Sequence, residues 1–139
     1  MNYLEHIGIA VKNLSDSDEL FHRLLGSPSY KHEEVADQMV VTSFFKSGST
    51  KIELLEATHP DSPISRFIER KGEGIHHIAF EVDDIRKEMI RLKDAGFQVL
   101  QEEPVIGADN KWVCFIHPRT ANGVLIEICQ SIDKTDPLT

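Results

Sequence analysis

The sequence predicts an α+β protein built from two successive β-α-β-β-β modules that form a curved mixed sheet. One observation behind this is a repeat of His6 and the alternating residues after it (HIGIAVKNL) as HIAFEVDDI, beginning at His77, 71 residues later. A second is the similar pair of apolar strands around Glu53 and Glu127, which lie 74 residues apart. Two nearly equal offsets, in the same chain order, indicate an internal duplication.

The helix of the first module is expected to begin after Ser15 or Asp16, either of which can cap it, and to end at Gly26. Its core-facing positions are expected to be Leu20, Phe21, Leu24 and Leu25. The second module repeats this design, with Asp83 or Asp84 as the cap and Gly96 at the end. Its expected core-facing positions are Ile85, Met89 and Leu92.

A connector at about 58–74 separates module one (about 1–57) from module two (about 75–131). Ser62 followed by Pro63 is typical of a helix start, so we expect a short helix there with an apolar face at Ile64, Phe67 and Ile68. Residues 1–133 are predicted to form a single domain, and 134–139 a flexible tail.

Composition narrows the functional classes. The formal charge of −8 argues against a nucleic-acid or anionic-membrane partner, since both favour basic surfaces. No apolar run approaches the roughly 20 residues of a membrane span, and the N-terminus lacks a signal-peptide pattern, so a cytoplasmic location is expected. Cys114 and Cys129 lie in apolar strand segments and are interpreted as reduced core residues.

Strand periodicity predicts which side chains share a strand face with each repeated histidine. His6 shares a strand face with Gly8 and Ala10, and His77 with Ala79. These small neighbours are expected to leave space beside each imidazole, as in a ligand cavity.

Each half thus offers one histidine on its first strand and one glutamate on its last, namely His6 with Glu53 and His77 with Glu127. A lone histidine or glutamate at such a position is usually structural, but the matched pairs favour one shared site. Two imidazoles and two carboxylates suit a divalent metal ion, and an octahedral ion would keep two positions for substrate oxygens.

Four stretches resemble the vicinal-oxygen-chelate (glyoxalase) superfamily, and within it the methylmalonyl-CoA epimerase family. They are HIGIAVKNL (6–14), TKIELLEATHPDSPISRFIERKGEGIHHIAFEVDDI (50–85), EEPVIGADNK (102–111) and FIHPRTANGVLIEICQ (115–130). The resemblance implies a homodimer acting on an acyl-CoA, with one divalent metal ion per chain (Co, Zn, Ni, Mn or Mg). The implied metal ligands are His6, Glu53, His77 and Glu127, with His77 chosen over its neighbour His76.

The reaction implied is inversion of the substrate α-carbon through a metal-stabilised enolate. Glu127 is the first choice for the catalytic group on one side of the substrate, and on the other side Glu53 is favoured over a water held near Thr42 or Gln38. Some family members have a further catalytic glutamate where this chain has Thr42. Because coenzyme A is anionic, Lys111 and Arg119 are expected to form a positive rim that binds it, and Gln38 is expected beside the substrate.

Two other functions remain open at this point. One is a lactoylglutathione lyase of the glyoxalase I type, which needs the same metal ligands for a related enediolate. The other is a non-catalytic binding protein of the same fold. The HPR turn (117–119), where glyoxalase I more often has a DPDG-type turn, favours the epimerase.

Overall fold

The computed structural model describes residues 1–133, and both modules have the predicted order of elements. Module one comprises β1 (Tyr3–Ala10), α1 (Leu14–Leu25), β2 (Lys31–Val35), β3 (Val40–Ser47) and β4 (Thr50–Ala57). The connector holds α2 (Pro63–Lys71), and module two comprises β5 (Gly74–Glu81), α3 (Ile85–Asp94), β6 (Val105–Gly107), β7 (Lys111–Ile116) and β8 (Ile126–Ser131). The predicted α+β class and the duplicated β-α-β-β-β pattern are confirmed. The predicted tail at 134–139 lies outside the described residues.

The chain divides into two compact units, which do not coincide with the predicted module boundaries. The first unit is Glu5–His76 and includes the connector helix; the second is Met1–Leu4 together with the described residues from His77 onward, up to residue 133. Within the second unit, the Asn2 amide donates to the Glu81 carbonyl at 2.9 Å. The assignment of residues 1–133 to one domain stays a prediction.

The strands are paired in the same way in each unit. The first unit has the order β2-β3-β4-β1, in which β1 and β4 are parallel and the other pairs antiparallel. The second has the order β5-β8-β7-β6, in which β5 and β8 are parallel and the other pairs antiparallel. Mixed pairing is therefore confirmed in both copies of the repeat.

Helix α1 begins earlier than predicted. Its N-cap is Asn13, whose side-chain oxygen accepts a hydrogen bond from the Asp16 amide at 2.9 Å, and the expectation of Ser15 or Asp16 as the cap is wrong. The end at Gly26 is confirmed, because this residue has φ 79° and its amide donates to the His22 carbonyl. That backbone conformation carries no steric penalty for glycine.

The apolar face of α1 also differs from the prediction. Phe21 and Leu25 pack against the sheet with Leu14, whereas Leu20 and Leu24 are 49% and 68% exposed. The three inward residues recur at intervals of seven and four, so they lie on one stripe of the helix. Leu20 and Leu24 fall beside that stripe and face solvent.

The other two helices agree with their predicted caps and core faces. Ser62 caps α2 by accepting from the Ile64 amide at 3.2 Å, and Asp84 caps α3 by accepting from the Lys87 amide at 3.1 Å. Their core residues pack against the sheet of their own unit: Ile64, Phe67 and Ile68 for α2, and Ile85, Met89 and Leu92 for α3.

Both cysteines are buried and neither forms a disulfide within residues 1–133, which confirms their interpretation as core residues. Cys114 lies in the cluster beneath α3, and Cys129 packs with Ala79 and Val113. Burial raises the pKa of the Cys114 thiol to about 12, and the Glu127 carboxylate acts in the same direction. The thiol therefore stays protonated, and hence unreactive, at physiological pH.

None of the helices within residues 1–133 is both long and apolar enough to cross a bilayer.

The Asn13 cap can be tested by Asn13→Ala, which removes the acceptor of the Asp16 amide. We expect the free energy of unfolding to fall by about 1 kcal/mol, measured by urea denaturation at fixed protein concentration. Ser15→Ala, at an exposed position inside the first turn, should change it by less than about 0.5 kcal/mol. A larger effect at Ser15 than at Asn13 would contradict the assignment.

Candidate metal centre

In the first unit, parallel pairing of β1 with β4 brings together His6 and Glu53. Gly8 lies opposite Glu53 in the register, so His6 is two residues away on the same face. The His6 Nδ1 is 3.0 Å from the Glu53 Oε2, and both residues are only 4% exposed. An imidazole and a carboxylate thus meet within the interior of the protein.

A second carboxylate reaches the same imidazole. The Glu5 Oε1 is 2.8 Å from the His6 Nδ1, and its Oε2 is 2.8 Å from the Lys51 Nζ. Glu5 was not predicted from the sequence, because strict strand alternation assigns it to the opposite face from His6. Lys51, by contrast, could have been predicted to lie on the same face as Glu53, since it is two residues before Glu53 in the same strand.

In the second unit, parallel pairing of β5 with β8 repeats this layout with His77 and Glu127. Here Ala79 lies opposite Glu127, so the histidine is again two residues from the glutamate's register partner. The His77 Nε2 is 3.5 Å from the Glu127 Oε1, and the two residues are 6% and 7% exposed. The sequence repeat is therefore a repeat of register as well.

Each glutamate also lies opposite a phenylalanine on the antiparallel strand next to its own, which is β3 in the first unit and β7 in the second. Phe44 is the register partner of Glu53, and Phe115 that of Glu127. The ring of Phe115 meets the His77 ring edge-on at 6.0 Å. Neither phenylalanine was predicted at the site, although their separation of 71 residues equals that of the two histidines.

The expectation that small residues leave open space is wrong for the two alanines. Ala10 is fully buried in an apolar cluster with Leu55 and Ile64, under helix α2. Ala79 is fully buried against Val113 and Cys129. The two alanine side chains therefore let their apolar neighbours pack closely, and they do not leave a cavity.

The donor groups fit a divalent cation. Glu5, His6 and Glu53 offer three ligand atoms within 4.8 Å of one another, and all three residues are buried. The His6 Nδ1 carries at most one hydrogen, which cannot be directed at two carboxylates equally well. Oxygen and imidazole donors without a thiolate suit borderline or hard divalent ions. The residues present could therefore hold the metal ion that the resemblance implies.

His76, the rejected neighbour, has a different environment from His77. Its ring contacts the Phe67 ring of the connector helix edge-on at 5.0 Å. Burial lowers the pKa of His76 to about 4, because the apolar surroundings disfavour the charged imidazolium.

The predicted positive rim is not formed as expected, because Lys111 is buried and 6% exposed. Its Nζ donates to the Ser131 Oγ at 2.8 Å and to the Glu81 Oε1 at 3.2 Å. The buried Glu81 carboxylate requires this partner, since an isolated charge in the interior is costly. This corrects the expectation of Lys111 as a rim residue.

The other two predicted substrate-binding residues lie in short 3-10 turns. Arg119 is exposed in the turn Pro118–Thr120, where its Nη2 donates to the Gln98 Oε1 at 3.3 Å. Gln38 is half-buried in the turn Ala36–Gln38, directly after β2. Their contact with a substrate stays a prediction.

Comparison with known proteins identifies the family of this chain. The profile of the Glyoxalase/Bleomycin resistance protein/Dioxygenase superfamily matches residues 5–115. The chain is 42% identical over 130 residues to the uncharacterized protein YqjC of Bacillus subtilis, with 94% of this chain and 93% of that protein covered. This chain belongs to the glyoxalase/bleomycin resistance protein/dioxygenase superfamily.

The chain is also similar to proteins named as epimerases. The ethylmalonyl-CoA/methylmalonyl-CoA epimerase of Cereibacter sphaeroides is 41% identical over 129 residues, covering 91% of this chain and 96% of that protein. A solved structure of methylmalonyl-CoA epimerase in complex with methylmalonyl-CoA and NH4+ superimposes with a TM-score of 0.90 at 30% identity, covering 99% of both chains. The predicted resemblance to methylmalonyl-CoA epimerases is confirmed.

The revised role of Lys111 is tested by Lys111→Met, which keeps the aliphatic length and removes the charge. Leaving Glu81 without its ammonium partner should lower the free energy of unfolding by about 3 kcal/mol, measured by urea denaturation. Adding Glu81→Gln should restore part of that loss, because the two effects are coupled. Arg119→Ala, at an exposed position, should lower the free energy of unfolding by less than about 0.5 kcal/mol. Equal losses in the two variants would contradict the assignment of Lys111 to a buried ion pair.

Proposed function

We propose that this chain is an epimerase that inverts the α-carbon of methylmalonyl-CoA and so interconverts its R and S forms. The observation that carries the proposal is the duplicated, buried histidine–glutamate pair. It occurs in a chain that is 41% identical, over almost its whole length, to an ethylmalonyl-CoA/methylmalonyl-CoA epimerase.

The proposed ligands of one divalent metal ion per chain are His6, Glu53, His77 and Glu127. Their support is the repeat, which gives each unit one imidazole and one carboxylate at equivalent register positions. When bound, a divalent ion supplies Lewis-acid stabilisation of negative charge on substrate oxygens. Cobalt, zinc, nickel, manganese and magnesium all remain compatible with nitrogen and oxygen donors.

The chain's own carboxylates would move the proton. Inversion requires one group that removes the α-proton from one side of the substrate and another that returns a proton to the other side. Glu127 is proposed for one side and Glu53 for the other. Because the neighbouring strands hold both side chains in the interior, the carboxylates are pre-positioned and largely shielded from bulk water.

The binding partner is proposed to be a small acyl-CoA, contacted by Arg119 and Gln38. Homodimeric assembly and a cytoplasmic location stay predictions from the sequence and its resemblance. The lyase of the glyoxalase I type and the non-catalytic binding protein are the competing functions, and they serve as alternative outcomes of the experiment.

The test is to incubate the purified protein, supplemented with Co²⁺, with (2R)-methylmalonyl-CoA in deuterated water. Deuterium should enter at the α-carbon, as followed by mass spectrometry, and the glutathione–methylglyoxal hemithioacetal should be consumed poorly in a parallel reaction. Glu127→Gln should slow deuterium entry at least about 100-fold, because it removes a general base.

Glu102→Gln provides the matched control for this reaction, since Glu102 is exposed in a loop and should leave the rate unchanged. Preferential turnover of the hemithioacetal would replace the proposal with the lyase. Turnover of neither substrate would favour the binding protein.

The choice between adjacent histidines predicts a difference in metal content. His77→Ala should reduce bound metal to well below one ion per chain, measured by atomic emission after dialysis, because it removes a proposed ligand. His76→Ala should retain the metal, since its ring packs against Phe67. The reverse pattern, in variants whose circular dichroism shows them folded, would overturn the assignment of faces.

A further inference from the structure

Thr42 is an unusual buried polar residue at the centre of the first unit's sheet. It is 1% exposed in β3, with Glu33 of β2 on one side and Leu55 of β4 on the other. Its side-chain Oγ1 makes no hydrogen bond to any residue within 1–133. A buried hydroxyl without a partner typically costs about 1–3 kcal/mol, so its presence needs an explanation.

The register places this hydroxyl on the face that carries the candidate metal ligands. Thr42 lies opposite Leu55, and Phe44 lies opposite Glu53. Because side chains alternate along a strand, Thr42 and Phe44 share the face of Glu53. In turn, Glu53 meets His6 on that face. Thr42 is thus two residues along β3 from the register partner of Glu53, on the face where Glu53 meets His6.

The second unit shows that the fold does not require a hydroxyl at this position. Phe115 lies opposite Glu127 just as Phe44 lies opposite Glu53. The residue two positions before Phe115 is Val113, which is 3% exposed and packs with apolar neighbours. Valine has nearly the shape of threonine, so an apolar side chain is compatible with this place in the repeat.

We propose that Thr42 is a positioning residue that donates a hydrogen bond from its Oγ1 to an oxygen of the substrate's acyl group. This inference rests on the proposed function and extends it, since it names a substrate contact on the Glu53 side of the site. The bound acyl group would provide the acceptor that the protein itself does not provide.

The chemistry of the two groups is complementary. A threonine hydroxyl is a donor, and the thioester and carboxylate oxygens of methylmalonyl-CoA are all acceptors. A neutral hydroxyl is too weak a base to remove a carbon-bound proton. Thr42 therefore does not replace a catalytic carboxylate; it fixes the orientation of the acyl group relative to Glu53.

The experiment compares Thr42→Val with Thr42→Ser in the full-length chain. Thr42→Val deletes the hydroxyl at nearly constant volume, whereas Thr42→Ser keeps it. We expect Thr42→Val to lower kcat/KM for epimerisation about tenfold, as loss of one hydrogen bond implies. Its melting temperature should be unchanged or higher, because an unpartnered buried hydroxyl is removed. Thr42→Ser should retain most of the wild-type kcat/KM.

A binding measurement gives a second readout that does not depend on turnover. Isothermal titration with methylmalonyl-CoA and with propionyl-CoA should show weaker binding of the former to Thr42→Val. Loss for methylmalonyl-CoA alone assigns the hydrogen bond to the free carboxylate; equal loss for both assigns it to the thioester oxygen.

Two results would overturn the inference. Wild-type kcat/KM and affinity in Thr42→Val would make the hydroxyl irrelevant to substrate, and a lower melting temperature would show that it has a partner in the fold. Failure of the proposed function is separately visible, because the wild-type protein would then show no epimerisation in the same assay.

Discussion

The need to give buried carboxylates a partner inside β-sheet faces is the constraint on which the rest of this structure depends. Glu5 and Glu81 are both buried, and each is held by a lysine ammonium, from Lys51 and Lys111 respectively. A buried charge without such a partner costs several kcal/mol, so these pairs restrict which residues the strands can carry. The Glu5 carboxylate is also within hydrogen-bonding distance of the His6 imidazole. Such a partner can fix the orientation and tautomer of a metal-binding histidine, so the same ion pair serves both stability and the proposed site.

Beyond the histidine–glutamate pairs, the two units differ in the residues that continue the histidine-bearing face of the sheet. In the first unit, the face continues as Ala10 and Leu55, and the connector helix covers it with Ile64. In the second unit, the corresponding region is polar and held together by Glu81 and its partners. Apolar burial stabilises the first arrangement and a satisfied polar network the second. Duplication therefore preserved the register of the proposed ligands while the supporting residues diverged.

Much of the fold could be predicted because helix caps and periodicity are local properties. Ser62, Asp84 and Gly26 each act through the backbone of their own helix, so short sequence patterns located them. Predictions failed where the choice among nearby residues depends on what the helix packs against. Leu20 and Leu24 are as apolar as the residues that face the sheet, and only the direction of α1 leaves them exposed. In the candidate site, periodicity placed the histidine–glutamate pairs but could not place Glu5, which departs from strict alternation.

The sequence by itself determined the repeat, and with it which histidine and glutamate in each half occupy equivalent strand positions. Parallel pairing of first and last strands then brings His6 to Glu53 and His77 to Glu127, since side chains two residues apart share a face. Only the tertiary structure decided that Lys111 is buried in an ion pair, because its partner Glu81 lies 30 residues away in the chain. Partners so far apart leave no local pattern: contacts of this kind exist only once strands from distant parts of the chain are paired in register.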